Sequence, residues 1–133
     1  MTINDLGEFG LIDRIAPYLK TQLKKGALGI GDDCAAYPHG NEALLATTDM
    51  LIEDVHFIRS SISARDLGYK SLAVNLSDIA AMGGAPIMSL LSLALPSSTK
   101  VSWIDEFFAG YHELASESGT LLLGGDTTRS NKK

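Results

Sequence analysis

The sequence holds one cysteine, Cys34, in 133 residues, so no disulfide can form within the chain. A lone thiol fits a reducing compartment. Basic residues are not in excess: 11 Lys and Arg stand against 16 Asp and Glu, a formal net charge of −5. The only basic doublets are Lys24-Lys25 and Lys132-Lys133. That balance argues against a nucleic-acid partner, which calls for a basic stripe. No long apolar run is present either. The richest, Pro86–Pro96, has about half the length a membrane span needs. The N-terminal MTINDLGEFG has no basic segment followed by an apolar one, so it is not a signal peptide. These absences predict a soluble, cytoplasmic protein without a membrane partner. No repeat, low-complexity tract or internal linker interrupts the chain, and 45 % apolar residues suffice for a single domain over residues 1–133.

Asn4 or Asp5 can cap a helix that carries Leu6, Phe9, Ile12, Ala16 and Leu19 at helical spacing. Pro17 marks its end or a kink. Cys34–Tyr37 and Glu42–Thr48 read as strands joined by the turn Pro38-His39-Gly40-Asn41, and Ile52–Phe57 as a further short strand. Ser63 with Asp66 forms a capping box that opens a helix to about Met82, stopped by Gly83-Gly84. Pro86–Leu95 is apolar on both faces and reads as a buried strand. Ser102 with Asp105 opens another helix ending at Gly119, and Thr120–Leu123 is a last strand. The order predicts an α/β (α+β) sandwich, a mixed β-sheet covered by helices. The end of the chain, TLLLGGDTTRSNKK, reads as a strand leaving into a polar loop. Such an exit usually leads to another element, which predicts a fragment of a longer protein.

Of the ten aspartates, several are delivered by apolar runs. Asp32-Asp33 follow Leu28–Gly31, Asp49 ends ALLATTD, Asp126 ends TLLLGGD, and Asp78 lies within the Ser63–Met82 helix. On that helix Leu72, Leu76, Ile79 and Gly83 form a core face, and Ser71, Asn75 and Asp78 fall on one stripe beside it, while Lys70 and Ser77 look outward. The stripe is either a buried hydrogen-bond network or a ligand site. Thr47-Thr48 before Asp49 add oxygens, and Gly124-Gly125 before Asp126 allow close backbone approach. If these groups converge, two carboxylates about 4 Å apart repel by ~4 kcal/mol at an effective dielectric near 20, so cations must accompany them. The oxygen-only set points to Mg²⁺ rather than zinc. GIGDDCAAY (29–37) fails GxGxxG because Cys34 takes the last glycine position, and no GK[ST] follows. With magnesium between, its aspartates need not repel a phosphate. Cys34, Phe107, Phe108 and Tyr111 read as core, His39 and His112 as solvated. His56 in EDVHF faces a cleft or serves the structure.

Five stretches together, GEFGLI (7–12), GIGDDCA (29–35), TTDMLIEDVHF (47–57), YKSLAVNLSDIAAMGGAP (69–86) and LLGGDTTR (122–129), resemble the thiamine-monophosphate kinase family. Its superfamily includes aminoimidazole ribonucleotide synthetase, selenophosphate synthetase and a hydrogenase maturation factor. The resemblance implies an ATP-binding N-terminal domain and transfer of phosphate from ATP to thiamine monophosphate, with several Mg²⁺ ions between aspartates and phosphates. It implies metal ligation by Asp33, Thr47, Thr48, Asp49, Asp78 and Asp126. Nucleotide binding falls to Asp33, Phe108, Gly125 and Asp126, with Phe108 standing where the family often has tyrosine. His56 lies on the thiamine phosphate side. The family also implies a homodimer through the N-terminal sheets, and a second domain beyond this chain without which little activity is expected. Another ATP-using member of the superfamily, or a non-catalytic cation-binding dimerisation domain, would share many of these features.

Overall fold

A computed structural model of the chain describes residues 1–20 and 23–131. Thr21 and Gln22, and the Lys132-Lys133 doublet, lie outside the described residues. The chain divides into two compact units, Met1–Thr47 and Thr48–Lys133.

In the first unit, helix α1 spans Ile3–Lys20. Its cap is Thr2 rather than Asn4 or Asp5. The Asp5 carboxylate accepts from the Thr2 backbone N–H at 2.7 Å and from its hydroxyl at 3.1 Å. Asp5 thus sits in the first turn, where negative charge complements the helix dipole. The interruption falls at Gly7 (φ 65), while Pro17 is carried inside the helix. A break at Gly7 turns the residues before it out of phase with those after. The spaced apolar set therefore forms no single buried face: Leu6, Ile12 and Ala16 are half-buried, whereas Phe9 and Leu19 are exposed. Strands β1 (Ala35–His39) and β2 (Glu42–Ala46) pair antiparallel. The turn is shorter than expected, because Pro38 and His39 already pair with Ala43 and Glu42.

The second unit holds α2 (Ala64–Ala81), β3 (Met88–Pro96), α3 (Val101–Ser118) and β4 (Leu121–Ser130). β3 and β4 pair in parallel, which requires a crossover, here α3. The expected α+β class is observed, with an antiparallel pair in one unit and a helix-packed parallel pair in the other. Ser63 caps α2 as the capping box predicts: its Oγ accepts from the Asp66 N–H at 3.0 Å and donates to the Asp66 carboxylate at 2.7 Å. The Ser102–Asp105 box does not form. The Lys100 carbonyl already accepts from the Trp103 and Ile104 N–H groups, so α3 begins before Ser102 and has no side-chain cap.

The core of this unit is Ala64, Leu67, Leu72, Phe107, Tyr111 and Ala115, all from α2 and α3. Truncating a buried leucine or phenylalanine such as Leu72 or Phe107 typically costs about 2–5 kcal/mol. The two helices touch backbone to backbone. A methyl group at Gly68 would sit on the Phe107 carbonyl, and one at Gly110 on the Arg65 carbonyl. The Arg65–Glu113 ion pair at 2.6 Å flanks the crossing, but it is exposed and contributes little. Trp103 stacks on Phe107, which meets Phe108 edge-on, each at 5.6 Å between centroids. β3 is not buried on both faces. Leu91 and Leu93 pack on the helical core, whereas Met88 and Leu90 are 62 % and 71 % exposed. Among the described residues no helix is long and apolar enough to cross a membrane.

Gly68→Ala should destabilise the chain by about 3 kcal/mol through overpacking, lowering Tm by roughly 10 °C. An unchanged urea midpoint would show that the helices do not meet so closely. The Thr2 backbone hydrogen bond first, then its hydroxyl, holds the Asp5 carboxyl below its ordinary 3.8. A lowered folded pKa means the contribution is present above the unfolded value and is lost as pH falls through the folded one. Amide exchange in the first turn of α1 should therefore accelerate below pH 3.8 relative to neutral pH, after correction for intrinsic rates. Asp5→Asn should remove that dependence, and a variant that kept it would refute the assignment to Asp5.

Candidate functional site

The acidic loop of the first unit resolves its two aspartates. Asp32 turns its carboxylate back to accept from the Asp33 N–H at 3.0 Å, a local turn-forming bond. Asp33 is exposed, and Cys34 beneath it is 2 % exposed, a core thiol rather than a ligand. Thr47, half-buried, ends this unit.

In the second unit Thr48 and Asp49 lead into a segment that docks on α2. The Asp49 backbone N–H donates to Asn75 Oδ1 at 3.1 Å. Asn75 Nδ2 donates to the Ser71 carbonyl at 3.0 Å, and Ser71 Oγ to the Gly68 carbonyl at 2.8 Å. For Ser71 and Asn75 the polar stripe is thus a hydrogen-bond network, and it also fixes where Asp49 stands. Asp78 is half-buried on the same stripe, and Ser77 faces outward as expected.

Ile52–Phe57 is a turn rather than the expected strand, closed by an isolated bridge between Glu53 and Phe57. Asp54 adopts φ 65, which no extended strand tolerates. The His56 N–H donates to the Ile52 carbonyl at 2.8 Å, and His56 Nδ1 accepts from the Ile52 N–H at 3.0 Å. Lys70 departs from its expected outward position. It is half-buried, and its Nζ donates to the His56 carbonyl at 3.0 Å. Its helical phase gave no sign of this, because the partner is a backbone carbonyl of another segment.

β4 does not stop at Leu123; Gly124, Gly125 and Asp126 lie within it. The ladder carries a bulge: Ser89 pairs with Leu122 but Leu90 with Gly124, leaving Leu123 extra. Paired residues on neighbouring strands share a face. The bulge puts Asp126 opposite exposed Ser92. Without it Asp126 would pair with Leu93, against the helices. Gly125 pairs with Leu91, and a methyl group there would meet the Leu91 carbonyl. An open groove of ≈ 400 Å³ runs along this strand, lined by Leu91, Leu93, Phe108, Leu122, Gly125 and Asp126 among others. Phe108, Gly125 and Asp126 all border this groove, with Asp126 on the Ser92 side of the ladder, and Asp49 docks on α2 through Asn75, three residues before Asp78. Among the described residues, no three His, Cys, Asp or Glu side chains form a ready metal cluster.

The second unit is an α+β unit with a glycine-aspartate strand and a capped helix bearing an Asn-Asp stripe. The chain belongs to the family described as AIR synthase related protein, N-terminal domain, which it matches over residues 31–133. Within that class it is similar to thiamine-monophosphate kinases. That of Aquifex aeolicus (strain VF5) is 39 % identical over 132 residues, 99 % of this chain and 41 % of that protein. That of Bacillus subtilis (strain 168) is 44 % identical over 130 residues, 96 % of this chain and 39 % of that protein. The solved structure of AaThiL complexed with AMPPCP and TMP matches with a TM-score of 0.87 at 40 % identity, over 99 % of this chain and 40 % of that one. The chain spans about two-fifths of the length of the curated relatives it matches.

Asn75→Ala removes two hydrogen bonds, should cost about 1–2 kcal/mol, and should speed amide exchange at Asp49. Asn75→Asp, which keeps an acceptor, should retain most of the protection. Unchanged Asp49 exchange in the alanine variant would remove Asn75 from its proposed role.

Proposed function

We propose that residues 1–133 are the N-terminal, nucleotide- and metal-binding part of a kinase that transfers the γ-phosphoryl group of ATP to thiamine monophosphate, yielding ADP and thiamine diphosphate. The observation that carries this reading is the match along 99 % of the chain to a protein of that name. A relative of the same fold holding AMPPCP, an ATP analogue, together with TMP supports both substrates. A phosphate oxygen of thiamine monophosphate forms the new bond to the γ-phosphorus as the bond to the β–γ bridging oxygen breaks, and the electron pair leaves with ADP. No protein nucleophile is needed, so positioning and charge neutralisation carry the catalysis.

The chain's own groups divide that work. Phe108 and the side-chain-free backbone at Gly125 offer the nucleotide a surface along the groove. Asp33, Thr47, Thr48, Asp49, Asp78 and Asp126 supply oxygen donors. Their chemistry fits Mg²⁺: hard oxygens only, with Asp33, Asp49 and Asp126 exposed and the one thiol buried. A preformed cage of three acids is not required, since magnesium is usually held by one or two carboxylates, with waters and substrate phosphates completing its shell. Bound there, it would neutralise phosphate charge that the carboxylates alone would repel. His56 serves the thiamine phosphate side. The exposed Met88, Leu90, Leu121 and Leu123, at 60–71 %, form an apolar stretch of the parallel pair that supports a homodimer through this sheet. The remaining catalytic groups are assigned to the part of the relatives that this chain does not match.

The complete kinase chain carrying residues 1–133 should form thiamine diphosphate from ATP, thiamine monophosphate and Mg²⁺, and residues 1–133 alone should form almost none. Asp126→Asn in the complete chain should lower kcat/KM about 100-fold or more with little change in Tm. Absence of product from the complete chain would refute the kinase reading. Turnover by residues 1–133 alone would refute the division of labour, and parallel losses of Tm and activity would make Asp126 structural.

A further inference from the structure

His56 and Lys70 form a unit that neither the metal nor the nucleotide assignment uses. The turn from Ile52 to Phe57 holds the imidazole from within. Its Nδ1 accepts the Ile52 backbone N–H at 3.0 Å. A ring nitrogen that accepts a hydrogen bond carries a lone pair, so the proton of the neutral ring is on Nε2. An Nε2–H is a donor and has no lone pair for a metal. His56 is exposed, so this donor is available to a ligand, and the complementary ligand atom is an acceptor such as an anionic oxygen. The turn is also held from outside. Lys70 Nζ donates to the His56 carbonyl at 3.0 Å, a charge-assisted bond from the helix that Ser63 caps. The Asp54 N–H to Phe57 carbonyl bond at 2.8 Å closes the turn itself, so Lys70 governs where the turn sits on α2 rather than whether it forms.

We propose that Lys70 is a positioning residue for His56, and that the turn it anchors presents the imidazole Nε2–H as a hydrogen-bond donor to an anionic oxygen of the phosphate acceptor. The identity of the acceptor rests on the kinase reading above; the ring's protonation and its anchoring do not. A contact to a non-reacting oxygen is made equally in the ground and transition states, so its loss appears in KM and spares kcat.

Two experiments test this. In a histidine ¹⁵N–¹H correlation spectrum of the 133-residue chain, with the ring neutral, His56 should show a protonated Nε2 and a bare Nδ1. Lys70→Met should keep that tautomer, because the bond that sets it lies inside the turn, while the cross-peak shifts as the turn leaves its seat on α2. A protonated Nδ1 or an averaged ring in the wild-type chain overturns the proposal, whatever the enzyme does. In the complete kinase chain, Lys70→Met should raise KM for thiamine monophosphate about tenfold, one charge-assisted contact's worth. KM for ATP and kcat should stay within about twofold, and Lys70→Arg should restore most of the loss. Added to His56→Ala, Lys70→Met should cost nothing more, because it acts through the ring. Additive losses, or a fall in kcat alone, would overturn the positioning role. No turnover by the wild-type complete chain would instead fell the kinase reading and the acceptor named here, while the spectrum still decides the donor assignment.

Discussion

The constraint on which the second unit depends is the crossing of α2 and α3 at Gly68 and Gly110. Each helix presents a glycine to a carbonyl of the other, so the backbones approach without intervening side chains. That approach brings Ala64, Leu67 and Leu72 into one cluster with Phe107, Tyr111 and Ala115. Dispersion and burial there favour one arrangement over looser ones, because close-packed interiors tolerate little change in volume. Much else in the second unit is referred to it. Leu91 and Leu93 of β3 rest on this cluster, and the polar stripe of α2 takes its orientation from the helix the crossing fixes.

On that scaffold, chemistry is delivered by short polar contacts. Asn75 captures the backbone of Asp49, and Lys70 captures the backbone of His56. Both contacts bind main chain, so they set the position of the neighbouring side chains while leaving those side chains available. The third device is the bulge at Leu123, which turns Asp126 to the side of exposed Ser92. A carboxylate opposite Leu93 would have faced the helices, where an unpaired charge is costly. The bulge thus separates the apolar work of β4 from its polar work within a few residues.

Local signals were legible where local bonds decide. The Ser63–Asp66 box caps α2 because both partners lie within one turn. The equivalent pairing of Ser102 and Asp105 failed because the carbonyl of Lys100 had already started α3. At the N-terminus Asp5 binds back to Thr2, which stands two or three residues before the caps, Asn4 or Asp5, that the apolar spacing implied. The Ile52–Phe57 segment has the alternation of a strand, but Asp54 at positive φ and the hydrogen bonds of His56 fold it on itself. Alternation predicts an extended chain only where a neighbouring strand offers a ladder.

By itself the sequence determined the helices, the hairpin and the class of fold, and it named the candidate oxygen donors. These follow from periodicity, capping chemistry, a single cysteine and dispersed histidines. Only the tertiary structure decided which aspartate serves its own turn, that β4 runs through Gly124-Gly125-Asp126, and that Lys70 reaches His56. The reason is physical. A bulge depends on two strands in register, and a lysine that binds a distant carbonyl has a partner from which its local sequence is separated by 14 residues.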